Sequence, residues 1–403
     1  MKKIAYLGTA LAALAVSPAL AKTYPVGEGL TLTPSIDARL RYEHVDQDNA
    51  LDNAGALTVR VRPGLTLGTS SGFSVLVEGE GLLAISEKYN STTNGKTGFS
   101  AVPDPQNIEL NRAQIQYKGK GFTLTGGRQR INLDDQRFVG SVGWRQNEQT
   151  FDAVTGEATV GPVMLNATYA WSDRTIFGID AGPREAFSGN YFFLGAGAKA
   201  GPVTFKAFSY LLDQDEAARL TMSSQTYGLR AGAALPISKI AKLSLTGSYA
   251  HQSDYQQNPV SYSADYYMGE VALSVRNVTL TGNYEVLGSD KGAFAFQTPL
   301  ATGHKFQGWA DLFLTTPAKG VRDLNAGLSA KFPKQKALPG LNAAVIYHDF
   351  RSDVGSLHYG TEWDAQIGFK VWKTALLLKY ADYNAKAFGV DTKKLWIQLD
   401  WAY

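Results

Sequence analysis

The 403-residue sequence contains no cysteine, which excludes disulfide staples, thiolate metal ligands and cysteine nucleophiles. Its histidines are only His44, His251, His304, His348 and His358, and none pair at a metal-ligand spacing, so no metal or cofactor is expected. Beyond residue 21 no apolar run approaches the ~20 residues a membrane-spanning helix needs. Neither charge sign dominates: 39 Lys and Arg against 36 Asp and Glu give +3, too little for a nucleic-acid footprint. Nothing resembles a nucleotide-binding or energy-coupling segment.

What is present is alternation. Leu395, Ile397, Leu399, Trp401 and Tyr403 share one parity, and Trp396, Gln398, Asp400 and Ala402 share the other. That is a strand with one apolar and one mostly polar face, ending in aromatics. Aromatics reach 11% and glycines number 41, yet mean hydropathy is −0.17. A barrel that hides its apolar surface in every second residue has this composition. The alternative, a soluble secreted β-protein, would have to sustain such alternation without a domain break. Met1-Lys2-Lys3, the apolar Ile4 to Val16 and the small-x-small Ala19-Leu20-Ala21 read as a signal peptide over residues 1–21. Its removal takes two lysines and leaves a net charge near +1 on a single domain, 22–403.

Leu30, Leu32, Ile36, Ala38, Leu40 and Tyr42 alternate with Asp37, Arg39, Arg41 and Glu43, and Leu57, Val59, Val61, Leu65 and Leu67 with Thr58, Arg60, Arg62 and Thr66. A third strand over 73–85 carries Glu78 and Glu80. Further strands are expected near 109–118, 121–131, 149–160, 163–172, 189–199, 203–212, 224–235, 242–253, 262–274, 278–287, 321–332, 341–350, 360–371, 374–383 and 393–403, eighteen in all. Tight turns such as Gly161-Pro162 and Gly201-Pro202 alternate with longer polar loops at 44–56, 86–107, 132–148, 173–188, 213–223, 254–261, 288–320, 351–359 and 384–392. The expected fold is all-β: a transmembrane antiparallel β-barrel of 18 strands with short periplasmic turns and long extracellular loops.

Two segments carry a family resemblance. Gly126-Gly-Arg-Gln-Arg-Ile-Asn-Leu-Asp-Asp-Gln-Arg-Phe-Val-Gly-Ser-Val-Gly-Trp-Arg-Gln-Asn-Glu-Gln-Thr-Phe-Asp-Ala153 and Phe296-Gln-Thr-Pro-Leu-Ala-Thr-Gly-His-Lys-Phe-Gln-Gly-Trp-Ala-Asp311 resemble the alginate-export family of outer-membrane porins. The resemblance implies an eighteen-stranded barrel in a Gram-negative outer membrane and an arginine-rich pore for passive diffusion of anionic, alginate-like uronate poly- or oligosaccharides. A general or small-solute porin is the alternative. The expected partners are outer-membrane lipid and lipopolysaccharide, the barrel-assembly machinery acting on the C-terminal strand, and the saccharide itself.

Arg39, Arg41, Arg60 and Arg62 share the inward parity of neighbouring strands and face Glu78 and Glu80. Opposed rows of charge in a water-filled lumen orient a charged solute, and a guanidinium fork matches a sugar carboxylate. Arg112, Arg128, Arg130, Arg137 and Arg145 extend the set, unless these residues neutralise the nearby carboxylates and brace the wall. With water around them, Arg60 and Arg62 should be removable without loss of fold. Arg128 and Arg130 share parity with the apolar Phe122 and Leu124, so either Gly126-Gly127 forms a bulge or Phe122 and Leu124 point inward. The 288–320 loop, with Trp309 and a Lys305–Asp311 charge pair, is a candidate lid or cap. The acidic 46–53 loop lacks the glycine and terminal glutamate of a calcium hand and reads as solvated. His251-Gln252-Ser253 has the spacing of outer-membrane phospholipases, a remote hydrolase alternative. No catalytic residue is expected.

Overall fold

The computed structural model describes residues 22–403; the expected signal peptide, 1–21, lies outside the described residues. Eighteen strands follow the chain around a ring. They are β1 Leu30–Gln47, β2 Ala54–Thr69, β3 Phe73–Lys88, β4 Asn107–Lys118, β5 Phe122–Gln129 and β6 Thr150–Val160. Next come β7 Val163–Arg174, β8 Ala186–Ala200, β9 Val203–Gln214, β10 Ser224–Pro236, β11 Ala241–Asp254 and β12 Ser263–Val275. The last are β13 Val278–Leu287, β14 Val321–Lys331, β15 Asn342–Arg351, β16 His358–Val371, β17 Thr374–Ala385 and β18 Thr392–Ala402. A short extra strand, Tyr24–Gly27, pairs with the start of β1.

Each strand pairs antiparallel with its sequence neighbours, and β18 returns to β1 from Gln47↔Thr392 to Asp37↔Ala402. The seam ends on Tyr403 N to Ile36 O at 2.8 Å and Ile36 N to Tyr403 O at 2.9 Å. Closure leaves none of the eighteen barrel strands with an unpaired edge, the condition for strands in hydrocarbon. No helix among the described residues is long and apolar enough to cross a membrane. The period-2 pattern sorts the faces. Val75, Val77, Leu83, Ile115, Leu229, Leu280 and Leu324 stand exposed outside, while Thr58, Arg60, Glu78, Gln252 and Glu285 are buried inside. Phe73, Tyr117 and Phe122 cluster at the turn-side rim, and Tyr169, Trp171 and Phe192 near the loop side.

The first two strands run further than expected. The β1–β2 ladder continues to Val45↔Ala54, and Asp46 pairs with Lys393, so much of the expected 44–56 loop is strand. β5 settles the parity conflict in a third way. Its pairing with β4 runs without a shift through Ile115↔Gly126, Gln114↔Gly127 and Ala113↔Arg128. Phe122 and Leu124 face outward, and Arg128 stays on their side. Gly127 has φ +107°, and a Cβ there would lie 2.3 Å from the Ala113 carbonyl oxygen. Gly127→Ala is therefore expected to destabilise the barrel by about 1–3 kcal/mol through left-handed strain and that contact, read as a lowered urea midpoint in lipid-reconstituted protein. An unchanged midpoint would show that the wall relaxes there at no cost.

Candidate pore and its two inward loops

Two of the long connections, on the side opposite the tight turns, fold into the lumen. The 130–149 segment leaves β5 and crosses to the far wall. At its start Lys206 on β9 and Arg230 on β10 take Asp134 and Asp135 at 2.7 Å. Phe138 then packs among Phe208, Tyr266 and Phe296, with ring centroids 5.2 to 5.9 Å away. At its end Arg145 sits between Glu43 of β1 and Asp104 of the 89–106 loop, 2.7 Å from each. Burial opposes the charge on Arg145, but these two carboxylates outweigh it and hold its pKa well above the ordinary value. Glu148 is likewise held down to about 2: burial would raise it, and Arg62 and Arg130 overcome that.

The 288–320 segment forms the second inward loop. A small hairpin, Ser289–Asp290 with Phe294–Ala295, turns it inward. Trp309 N donates to Asp364 at 3.2 Å and Ala310 N to Glu362 at 2.7 Å. Gly308, at φ +80°, passes so close to Glu362 that a Cβ would meet its carboxylate at 2.3 Å. Phe313 seats among Phe350, Tyr359, Tyr383 and Phe388. The two loops also bind each other. Gly140 N reaches Leu300 O at 2.9 Å, Thr302 N reaches Gln136 O at 3.1 Å, and the Trp144 and His304 rings stack at 4.1 Å.

The expected pore residues fall into distinct settings. Arg60 pairs with Asp37, Arg62 with Glu80 and Glu148, Arg112 with Glu78, and Arg130 with Glu78 and Glu148. Arg39 holds Asp400 at 2.7 Å and donates to the Trp144 carbonyl, while Arg41 takes Gln398 and lies over the Trp144 ring. Arg137 is buried in the loop junction, on Glu285 at 2.7 Å and Gln307 at 3.0 Å. Arg128 departs from the set: on the outer side of β5 it makes a two-bond pair with Asp152 at 2.8 and 3.1 Å. Near the strand end such a pair avoids the ~2–4 kcal/mol of an arginine facing mid-membrane lipid.

Two other expectations change, and the remote hydrolase alternative finds no matching geometry. Arg60 and Arg62 are buried, not bathed in water, so replacing both leaves Glu80 and Glu148 short of a partner. Lys305 and Asp311 do not pair: Lys305 donates to the Asp135 carbonyl at 2.8 Å, while Asp311 turns to His304 and Lys394. The chain bends sharply between them, with Gln307 and Asp311 both at positive φ. His251 does not face Ser253 as a base would; it bonds Asp265 at 2.9 Å and lies 3.4 Å from Ser263 on the adjacent strand. The Ser263 N–H is spent on Asp290, so it is not free to serve as an oxyanion donor for acyl transfer.

Sequence reasoning missed Lys379, Lys394, Glu362, Asp364 and the inward course of 130–149. On β17 the run Ala375-Leu-Leu-Leu-Lys-Tyr-Ala381 is apolar on both parities, so alternation could not mark Lys379 as inward. Below the loops lies a cavity of about 530 Å³ that reaches Asp37, Arg39, Lys305, Trp309 and Lys379 on one side and Glu270, Asn283 and Asp323 on the other.

No curated protein matches this chain. Solved structures share its fold. Pseudomonas aeruginosa OccK9 (OpdG) aligns with a TM-score of 0.74 at 14% identity, over 92% of this chain and 98% of that one. OpdK with vanillate, from the same organism, gives 0.71 at 13% identity over 92% and 98%. Acinetobacter baumannii OccAB4 gives 0.70 at 13% identity over 92% and 97%. The family model described as alginate export matches residues 35–226, which hold the first of the two motif segments and most of the arginine wall. Residues 35–226 thus match the alginate-export family, and the chain closes around them as a barrel with the fold of these outer-membrane channel structures.

Proposed function

We propose that this chain is a passive channel of a Gram-negative outer membrane that admits anionic saccharides of the uronate type, and that it performs no catalysis. The observation that carries this reading is the arginine-dense wall formed by β1, β2, β4 and the 130–149 loop. On it Arg39, Arg112 and Arg130 keep 13%, 19% and 30% of their side chains exposed. A guanidinium already engaged by one carboxylate retains N–H groups for a second, so a passing uronate can be handed along without displacing the wall acids. Arg39, Lys305 and Lys379 bring the basic side to the open cavity. The lumen is narrow because both loops fill it, which suits a chain threaded in extended form.

The pairing itself favours a second reading. Wall arginine is nearly matched by Asp37, Glu43, Glu78, Glu80, Asp104, Glu148 and Asp400, so a charge-balanced channel for small solutes is the competitor. Reversal potential in a potassium chloride gradient separates the two. Anion preference together with current block by uronate oligomers is expected. Cation preference, or no block by oligomers, would favour the small-solute porin. Arg130→Gln, which removes the most exposed of these guanidiniums, is expected to weaken anion preference and block together.

A further inference from the structure

On the strands next to Arg39 and Arg41 of β1, Lys379 of β17 and Lys394 of β18 both point inward and are buried, at 5% and 8% exposure. Two adjacent buried ammonium groups need an anion between them, and the chain supplies its own. Asp311, at the inner end of the 288–320 loop, sends Oδ2 to Lys394 Nζ at 2.9 Å and Oδ1 to His304 Nδ1 at 2.7 Å. His304 Nε2 lies 2.6 Å from Lys379 Nζ. Burial is the main reason the His304 pKa falls to about 3, with Asp311 opposing and Lys379 adding to the fall. The ring is therefore neutral; it donates from Nδ1 to Asp311 and accepts at Nε2 from Lys379. Lys379 also packs 3.6 Å from the centre of the Trp309 ring and opens on the cavity.

Asp311 reaches this position at φ +64°, with Gln307 at +49° before it. Nothing in the barrel ladder requires the residue to be there, since it belongs to a loop. We propose that Lys379, Lys394 and His304 form a carboxylate-binding subsite of the channel, occupied in this structure by Asp311 as the stand-in for the carboxylate of an incoming solute. Entry of a sugar acid exchanges one carboxylate for another on the same donors. The charge of the buried cluster is then unchanged, and the Asp311 side chain is released from it. The subsite deepens the anionic-solute reading and rests on it.

The test is block of single-channel current by monomeric galacturonate, with galactose as the neutral probe. In Asp311→Ala the internal competitor is gone, and half-block by galacturonate is expected at least tenfold lower in concentration than in the wild type, with galactose unaffected. Adding Lys394→Met to that variant should abolish the gain. Heat-modifiable gel mobility reports barrel assembly separately, and Asp311→Asn, nearly the same shape, is read in place of alanine if alanine fails to assemble. Half-block within twofold of the wild type, or an equal gain for galactose, overturns the subsite. Ion selectivity is read from reversal potential in the same bilayers. A cation-preferring channel that still shows the tenfold gain would sink the anionic-solute reading and leave the subsite standing.

Discussion

Arg145→Ala is expected to free the 130–149 loop from the barrel wall and raise single-channel conductance several-fold. Arg145 lies 2.7 Å from both Glu43 and Asp104, and all three are buried. Breaking a buried ion pair by removing one member costs about 3–5 kcal/mol, because the remaining charge stays desolvated. The loop can relieve that cost by swinging out, which admits water to both carboxylates. The ladder of β1 takes no part, so the barrel should still assemble. Conductance equal to the wild type, with the 130–149 segment still protected from protease, would mean that the Phe138 cluster and the contacts to 288–320 hold the loop unaided. Acid should act on the same anchors only at extremes. Asp104 and Glu148 both have pKa values below the ordinary carboxylate range in the folded protein. Their contribution is therefore complete above about pH 4. For Glu148 it is lost only as the pH falls through about 2. Wild-type conductance is expected to hold to about pH 3 and rise below it.

Removal of Trp401–Tyr403 is expected to reduce assembled protein in the outer membrane by at least tenfold. These residues supply Trp401↔Ala38 and Ala402↔Asp37 and the two backbone bonds between Tyr403 and Ile36. Without them the seam between first and last strands opens at its tight-turn end, where unpaired backbone groups would be left at the barrel rim. Tyr403→Phe keeps the ring and both backbone bonds, so it should assemble at wild-type levels. Normal quantities of heat-modifiable, truncated protein would show that the seam closes without its last pairs.

The sequence by itself determined the barrel. A side chain's face in a ladder depends only on its parity, so Leu395 to Tyr403, Leu57 to Leu67 and their counterparts declared which side was apolar. The turn residues between them set the strand number. Parity also placed Arg39, Arg41, Arg60, Arg62, Glu78 and Glu80 on one inner wall. It could say nothing of residues that leave the ladder. Whether Arg130 turns in while Arg128 stays out depends on β5 ending at Gln129. That Arg60 and Arg62 are buried depends on a loop arriving from more than eighty residues away, through Gln146. Lys305 and Asp311, six positions apart, find partners 170 and 83 residues distant. Those choices follow from where two loops meet in space, and loop contacts have no period from which to be read. Only the tertiary structure could show that the arginine wall is held by carboxylates and that the lumen is filled from above.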